Sequence, residues 1–284
     1  MKLRTLAFWL TVAGAVAVWA FVAPVAAGGS KTAQAAAERY VHAARDERYE
    51  RLADMLSRES LEYYQLLIDA ALYLDEEHLR FKPKLGGNDG LSVDELCLGL
   101  WDRLVILFLR SRHSADDLQA MTPEEAFSDL YRSDWLSFLT SRGHRLENSR
   151  LPERPRTDTP LKLLLEDDTA YFYGKNGRIY GQNPENPRHD KLFAIKFHKE
   201  NGSWNLDLGV HIFMLNFYAS FILVPSKLWP ETFDGIVTEF YAPEGVLPVP
   251  IGQLNWKPLA QAKPEQALRC VRWLEEFDPR KHGM

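Results

Sequence analysis

An α+β fold with helices packed on an antiparallel sheet is what this sequence predicts, and three observations predict it. Apolar residues recur at helical spacing from Ala33 to Phe138, whereas short alternating runs of β type begin only at Leu161. Between two such runs stand Asn201 and Gly202, the preferred pair for a two-residue hairpin turn because both central positions need positive φ. A chain of 284 residues that is 46% hydrophobic and 12% aromatic carries enough apolar surface to close a core around these elements.

The first helical stretch, Thr32 to Leu56, places Ala33, Ala36, Ala37, Tyr40, Val41, Ala44, Leu52, Ala53 and Leu56 on one face, interrupted by the charged stretch Arg45 to Arg48. Two short helices meeting at that stretch follow. Ser57 and Ser60 offer a cap for a third helix, Leu61 to Leu74. The segment Phe81 to Gly90, with Pro83 and glycines, reads as a loop; Ser92 with Glu95 has capping-box spacing and opens an apolar helix through Trp101, Leu104, Val105, Leu107 and Phe108. Thr122, Pro123 and Glu125 repeat the device and start a helix running to about Phe138. From Arg142 to Pro160, arginines and prolines without a periodic apolar face mark a connector.

Leu161 to Leu165 and Thr169 to Tyr173 are short strands around the acidic turn Glu166, Asp167, Asp168, followed by a loop from Gly174 to His189. Counting outward from Asn201 and Gly202 sets Glu200 against Ser203, Lys199 against Trp204, Phe197 against Leu206 and Ile195 against Leu208. One face is then apolar, and the other pairs His198 with Asn205 and Lys196 with Asp207. A slip of one residue would bury Lys196 and Asp207 and expose Phe197 and Trp204, so the pattern fixes the register. His211 to Leu223 is apolar nearly all round and reads as a helix; the stretch from Trp229 to Pro258 reads as an irregular strap, and Ala267, Cys270, Val271, Leu274 and Phe277 mark a final short helix.

The N-terminus carries an export signal. Lys2 and Arg4 precede an apolar run from Leu6 to Ala27, and Val25 and Ala27 have the spacing of a cleavage site. Removal of residues 1–30 gives a periplasmic or secreted protein; retention gives a single-pass anchor, with membrane contact only through residues 6–27. The net charge of -5, from 39 acidic and 34 basic side chains spread through the chain without a one-sided basic excess, argues against nucleic acid as a partner, and the basic run from Arg142 to Pro160 reads as a solvated loop. Cys97 and Cys270 sit in apolar helical patterns and have neither metal-ligand nor redox spacing; two buried thiols or one disulfide both fit.

Two stretches carry a resemblance. YVHAARDERYERLADMLSRES, Tyr40 to Ser60, and FAIKFHKENGSWNLDL, Phe193 to Leu208, resemble the opening helix pair and closing hairpin of the nuclear transport factor two-like superfamily. The resemblance implies a cone-shaped domain over residues 31–224 whose curved sheet and helices enclose a pocket, here with a helical insertion at 81–140 and an irregular C-terminal extension at 225–284. Such a pocket binds a small apolar ligand, houses an isomerase or dehydratase, or is filled.

The candidate pocket residues are Tyr63, Tyr64, Trp101, Trp204 and His211. No catalytic set stands out. Asp207 is expected in an ion pair with Lys196 rather than as a base, and His211 as a satisfied histidine at a helix start. Asp75, Glu76, Glu77 and His78 bring oxygen and nitrogen donors together, yet consecutive residues point apart, so neither they nor His189 with Asp190 make a metal site, and no cofactor is implied. Asn201, Gly202 and Ser203 spell a glycosylation acceptor that the hairpin alone explains. The sequence thus points to an exported, non-enzymatic domain that binds a partner protein or a small apolar ligand. A small-molecule isomerase or hydrolase and an assembly protein at the membrane surface are the alternatives.

Overall fold

The computed structural model describes residues 29–80, 98–133, 162–173, 194–209, 212, 216, 235, 237 and 251–261. Their element order is α1 (Ala33–Arg45), α2 (Tyr49–Ala53), α3 (Arg58–Tyr73), α4 (Glu76–Leu79), α5 (Leu100–Arg112), α6 (Ala115–Ala120), α7 (Pro123–Arg132), β1 (Lys162–Glu166), β2 (Thr169–Tyr173), β3 (Ile195–Glu200) and β4 (Ser203–Asp207), with a 3-10 turn at Ile251–Gln253. The class is α+β. Residues 1–28, where an export signal is expected, lie outside the described set, as do Cys97, Cys270, His189, Asp190, His211 and the expected loops and final helix. Among the described residues no helix is long and apolar enough to cross a membrane.

The expected helix pair is present. Thr32 caps α1 by accepting from the amide of Ala35 at 3.1 Å. Its end is a left-handed corner at Glu47, φ 54°, where the amides of Arg48 and Glu47 reach back to the carbonyls of Ala43 and Ala44. The corner usually calls for glycine, and here a glutamate occupies it. Ala36 and Ala37 are fully buried, and Tyr40 meets Phe172 and Phe197 edge-on at 6.5 and 6.2 Å between ring centres. Small residues let α1 approach the sheet while Tyr40 fills the gap.

The four strands form an antiparallel meander in the order β1-β2-β3-β4. Asn201 and Gly202 have φ of 51° and 81°, and the pairs Lys196↔Asp207, Phe197↔Leu206, His198↔Asn205, Lys199↔Trp204 and Glu200↔Ser203 follow the register counted from the sequence. Ala170, Phe172, Phe197, Trp204 and Leu206 give the sheet its buried face. The opposite face is drier than a solvent face. Lys196 holds Asp207 at 2.7 Å with their side chains only 26% and 10% exposed, and Asn205 is buried. Burial pulls the Lys196 ammonium down, but the Asp207 carboxylate outweighs it and holds the group above its ordinary value. The far edge of β4 is covered: Ser30 exchanges backbone hydrogen bonds with Trp204, and the amide of Ser57 donates to the Leu206 carbonyl at 2.8 Å.

Two expectations about helix ends are corrected. The apolar helix α5 opens at Leu100 with Gly99 as its N-cap, not at Ser92, and α7 ends at Arg132 rather than near Phe138. The box of Thr122 and Glu125 does open α7, each side chain bonding the other's backbone amide at 3.2 and 2.9 Å. The helix α6 was not foreseen; at six residues it is too short to display a period, although Ser114 and Asp117 cap it with the same reciprocal bonds. Leu104, Phe108, Leu118, Phe127 and Leu130 share one buried cluster with α1, α3 and the sheet, so residues 98–133 build the core rather than decorate it.

Candidate functional site

Among the described residues the longest helix is α3, and it organises two polar features. Along one of its faces Gln65, Ile68, Asp69 and Leu72 follow at helical spacing, and Gln65 reaches one turn forward to donate to Asp69 Oδ1 at 2.9 Å. Opposite this face, α6 and the residue after it supply Leu118, Gln119 and Met121, and the strap, continued here from Pro258 to Gln261, supplies Ala260 and Gln261. These residues enclose a cleft of about 370 Å³, within the size range of small-molecule sites. Ile68, Leu72 and Leu118 are buried beneath it, whereas Gln65, Gln119 and Gln261 stand exposed around it. Asp69 is half-buried; burial pushes its carboxyl above the ordinary carboxylate value, partly countered by the Gln65 amide. Among the described residues it is the one charged side chain lining the cleft.

What brings the strap to this place is the carbonyl end of α3. The last carbonyls of a helix lack intrahelical donors and must find others. Arg110 of α5 supplies most of them: its Nε donates to the Ala71 carbonyl at 2.7 Å, one Nη to Ala70 at 3.1 Å and also to Leu74, and the other Nη to the Trp256 carbonyl of the strap at 2.9 Å. The Ala260 amide donates to the carbonyl of Leu72 at 3.0 Å. The strap is thus docked as the completion of a helix end. Arg80 adds a guanidinium 3.8 Å from the centre of the Trp256 ring. Burial lowers the Arg110 pKa to about 10, still far above neutrality, so the cation persists beside the negative end of the helix dipole.

A second polar feature lies wholly inside. Asp102, at the third position of α5, accepts from the Tyr63 hydroxyl at 2.6 Å, from the Gly99 amide at 2.7 Å, and from Asn216 Nδ2 at 3.2 Å on both oxygens. Asn216 in turn accepts from the Trp101 amide at 3.0 Å. A Cβ on Gly99 would collide with the Asn216 amide, which is why this cap is a glycine. Burial pushes Asp102 up, opposed by the hydrogen bonds from Tyr63, Gly99 and Asn216. The Tyr63 hydroxyl is held far above its ordinary value by burial and by the adjacent Asp102 charge. Every direction of the carboxylate is occupied, so this group clamps α3, α5 and the helical turn bearing Asn216 rather than offering a lone pair to a substrate. Next to it, Arg103 is fully buried and donates to the carbonyls of His78, Leu98 and Gly99.

Of the residues singled out in the sequence, Tyr63 and Tyr64 meet edge-on at 5.2 Å between ring centres, both buried. Trp101 joins them through Asn216 and Asp102. Trp204 lies apart in β4, with Lys199 Nζ 5.9 Å from its ring, and His211 is outside the described residues. None of the four described candidates lines the cleft. Asp75 and His78 do not present themselves as ligands: Asp75 Oδ1 caps α4, accepting from the His78 amide and contacting its ring Nδ1, both at 2.8 Å. Among the described residues no group of three or more histidine, cysteine or acidic side chains is placed to hold a metal ion. The groups missed by sequence reading are Gln65, Asp69, Asp102, Arg103 and Arg110. Two of them had a visible signal, since Arg103 and Arg110 are seven apart within LWDRLVILFLRSR, a segment apolar on nearly every side. Comparison with protein-family models, with curated proteins and with solved structures finds no match to this chain.

Proposed function

We propose that this chain is an exported, non-enzymatic binding domain whose site is the cleft between α3, α6 and the strap. The observation that carries the reading is convergence: Gln65, Asp69, Gln119 and Gln261 from three separate segments surround about 370 Å³ above buried Ile68, Leu72 and Leu118. Few, convergent polar groups over an apolar base are the ordinary make-up of a small-molecule site. The polar rim favours a ligand with hydrogen-bonding groups over the purely apolar one suggested by the superfamily likeness. Export is proposed from Lys2, Arg4 and the apolar run Leu6 to Ala27, and the cone-like architecture from the two local stretches of resemblance.

A second reading, an isomerase or hydrolase, draws on Asp69, a half-buried carboxylate whose raised pKa suits a general base. The two separate in one experiment. The full chain is purified from its native envelope and its co-purifying small molecules and proteins are identified by mass spectrometry. The binding reading expects a stoichiometric companion recovered chemically unchanged and absent from a Gln119→Ala variant. A companion converted to a new species, with conversion abolished by Asp69→Asn, would move the assignment to the enzyme. A chain with no companion, and unstabilised by any member of a metabolite panel, would remove the binding reading.

A further inference from the structure

We propose that the cleft selects a small organic cation bearing a primary ammonium group, with Asp69 as its counter-ion. This rests on the cleft being the binding site. Among the described residues no lysine, arginine or histidine lines the cleft, and Asp69 is the single charge there. Gln65 occupies Oδ1 at 2.9 Å and so fixes the plane of the carboxylate, while Oδ2 has no partner among the described residues. Half-burial has already removed part of the water from that charge, and burial accordingly pushes the carboxyl up.

Each ligand class meets this arrangement differently. An anion would be repelled by Asp69. A neutral ligand would strip more water from the carboxylate without replacing it by a cation. An ammonium group replaces the lost water with charge-assisted hydrogen bonds, which are roughly twice as strong as neutral ones. The side-chain carbonyls of Gln119 and Gln261 can accept its remaining N–H groups. Tyr73 and Met121, both half-buried on the cleft wall, suit a short methylene chain. The cation is thus defined by the half-buried Asp69 carboxylate and the glutamine carbonyls around it.

The test uses the full chain and isothermal titration with three probes of equal chain length: 1,4-diaminobutane, 1,4-butanediol and succinate. The diamine should bind at least ~10-fold more tightly than the diol, and succinate should not bind, because one desolvated charge pair decides the order. Asp69→Asn keeps the shape and the Gln65 hydrogen bond, and should weaken the diamine by ~10- to 100-fold with the melting transition retained. A diamine no tighter than the diol, or equal diamine binding in Asp69→Asn, would overturn the cation assignment. If the diol or succinate binds and Gln119→Ala abolishes it, the cleft survives as a site and only its charge preference falls. If none of the probes binds and the native preparation carries no companion, both the cation and the cleft are refuted.

Discussion

Replacing Tyr63 by phenylalanine isolates the internal clamp. The change removes one oxygen atom and leaves the ring where it packs against Tyr64. It deletes the 2.6 Å hydrogen bond to Asp102 Oδ1, which is left with only the 3.2 Å contact from Asn216. A hydrogen bond to a buried charged group contributes about 1.5–3 kcal/mol. At roughly 2–4 °C per kcal/mol for a domain of this size class, melting should fall by about 3–12 °C. Urea unfolding should show a lower midpoint with an unchanged slope, since the surface exposed on unfolding is the same. The loss should also depend on pH. Burial raises the folded-state pKa of Asp102 above its ordinary 3.8, so the native state binds the proton more tightly than the unfolded chain. Stability contributed by this group is therefore fully present below the ordinary carboxylate value and declines as pH rises through the folded-state value. Below that window the carboxyl is neutral, and Tyr63→Phe should cost only ~0.5–1.5 kcal/mol, the value of a neutral hydrogen bond. A loss under ~0.5 kcal/mol at neutral pH, or one that is flat with pH, would refute the view of Asp102 as a buried charge held by donors.

Two further perturbations probe the elements that shape the site. Arg110→Met removes this donor from the carbonyls of Ala70, Ala71, Leu74 and Trp256; Ala70 keeps the Leu74 amide, and with Ala71 and Leu74 losing theirs at ~1–3 kcal/mol each, urea unfolding should register a loss of about 2 kcal/mol or more. The same variant should be cut faster by chymotrypsin at Trp256, and an unchanged cleavage rate would mean that the strap is held by something else. Gly202→Ala forces a Cβ into φ 81° with no neighbour within 4 Å, so its cost is backbone strain alone, ~1–2 kcal/mol by urea midpoint, and a neutral result would contradict the turn.

The sequence was most informative where local chemistry and long-range packing agree. The hairpin register was readable because Asn201 and Gly202 allow only a tight turn and because alternation places Phe197 and Leu206 together on the inner side. The caps at Ser57 and Thr122 were readable for the same reason: one side chain meets its own helix within a few residues. The cleft was not, because its walls come from α3, from a six-residue helix below the length at which periodicity registers, and from a strap with no period at all. Arg103 and Arg110 break the apolar pattern of α5, but their partners are backbone carbonyls up to 146 residues away, which residue types do not announce. Asp102 was hidden similarly: its donors are a tyrosine 39 positions earlier and an asparagine 114 positions later.

The proposed site requires ligand to enter between α3, α6 and the strap. Side-chain amide resonances of glutamine report it without any assumption about affinity. Titrating the isotope-labelled full chain with 1,4-diaminobutane should move the amide signals of Gln65, Gln119 and Gln261 together and saturably, along with the backbone amide of Ala260 where the strap meets Leu72. Signals that stay still there while the indole of Trp204 shifts would put the ligand on the sheet instead and contradict the account.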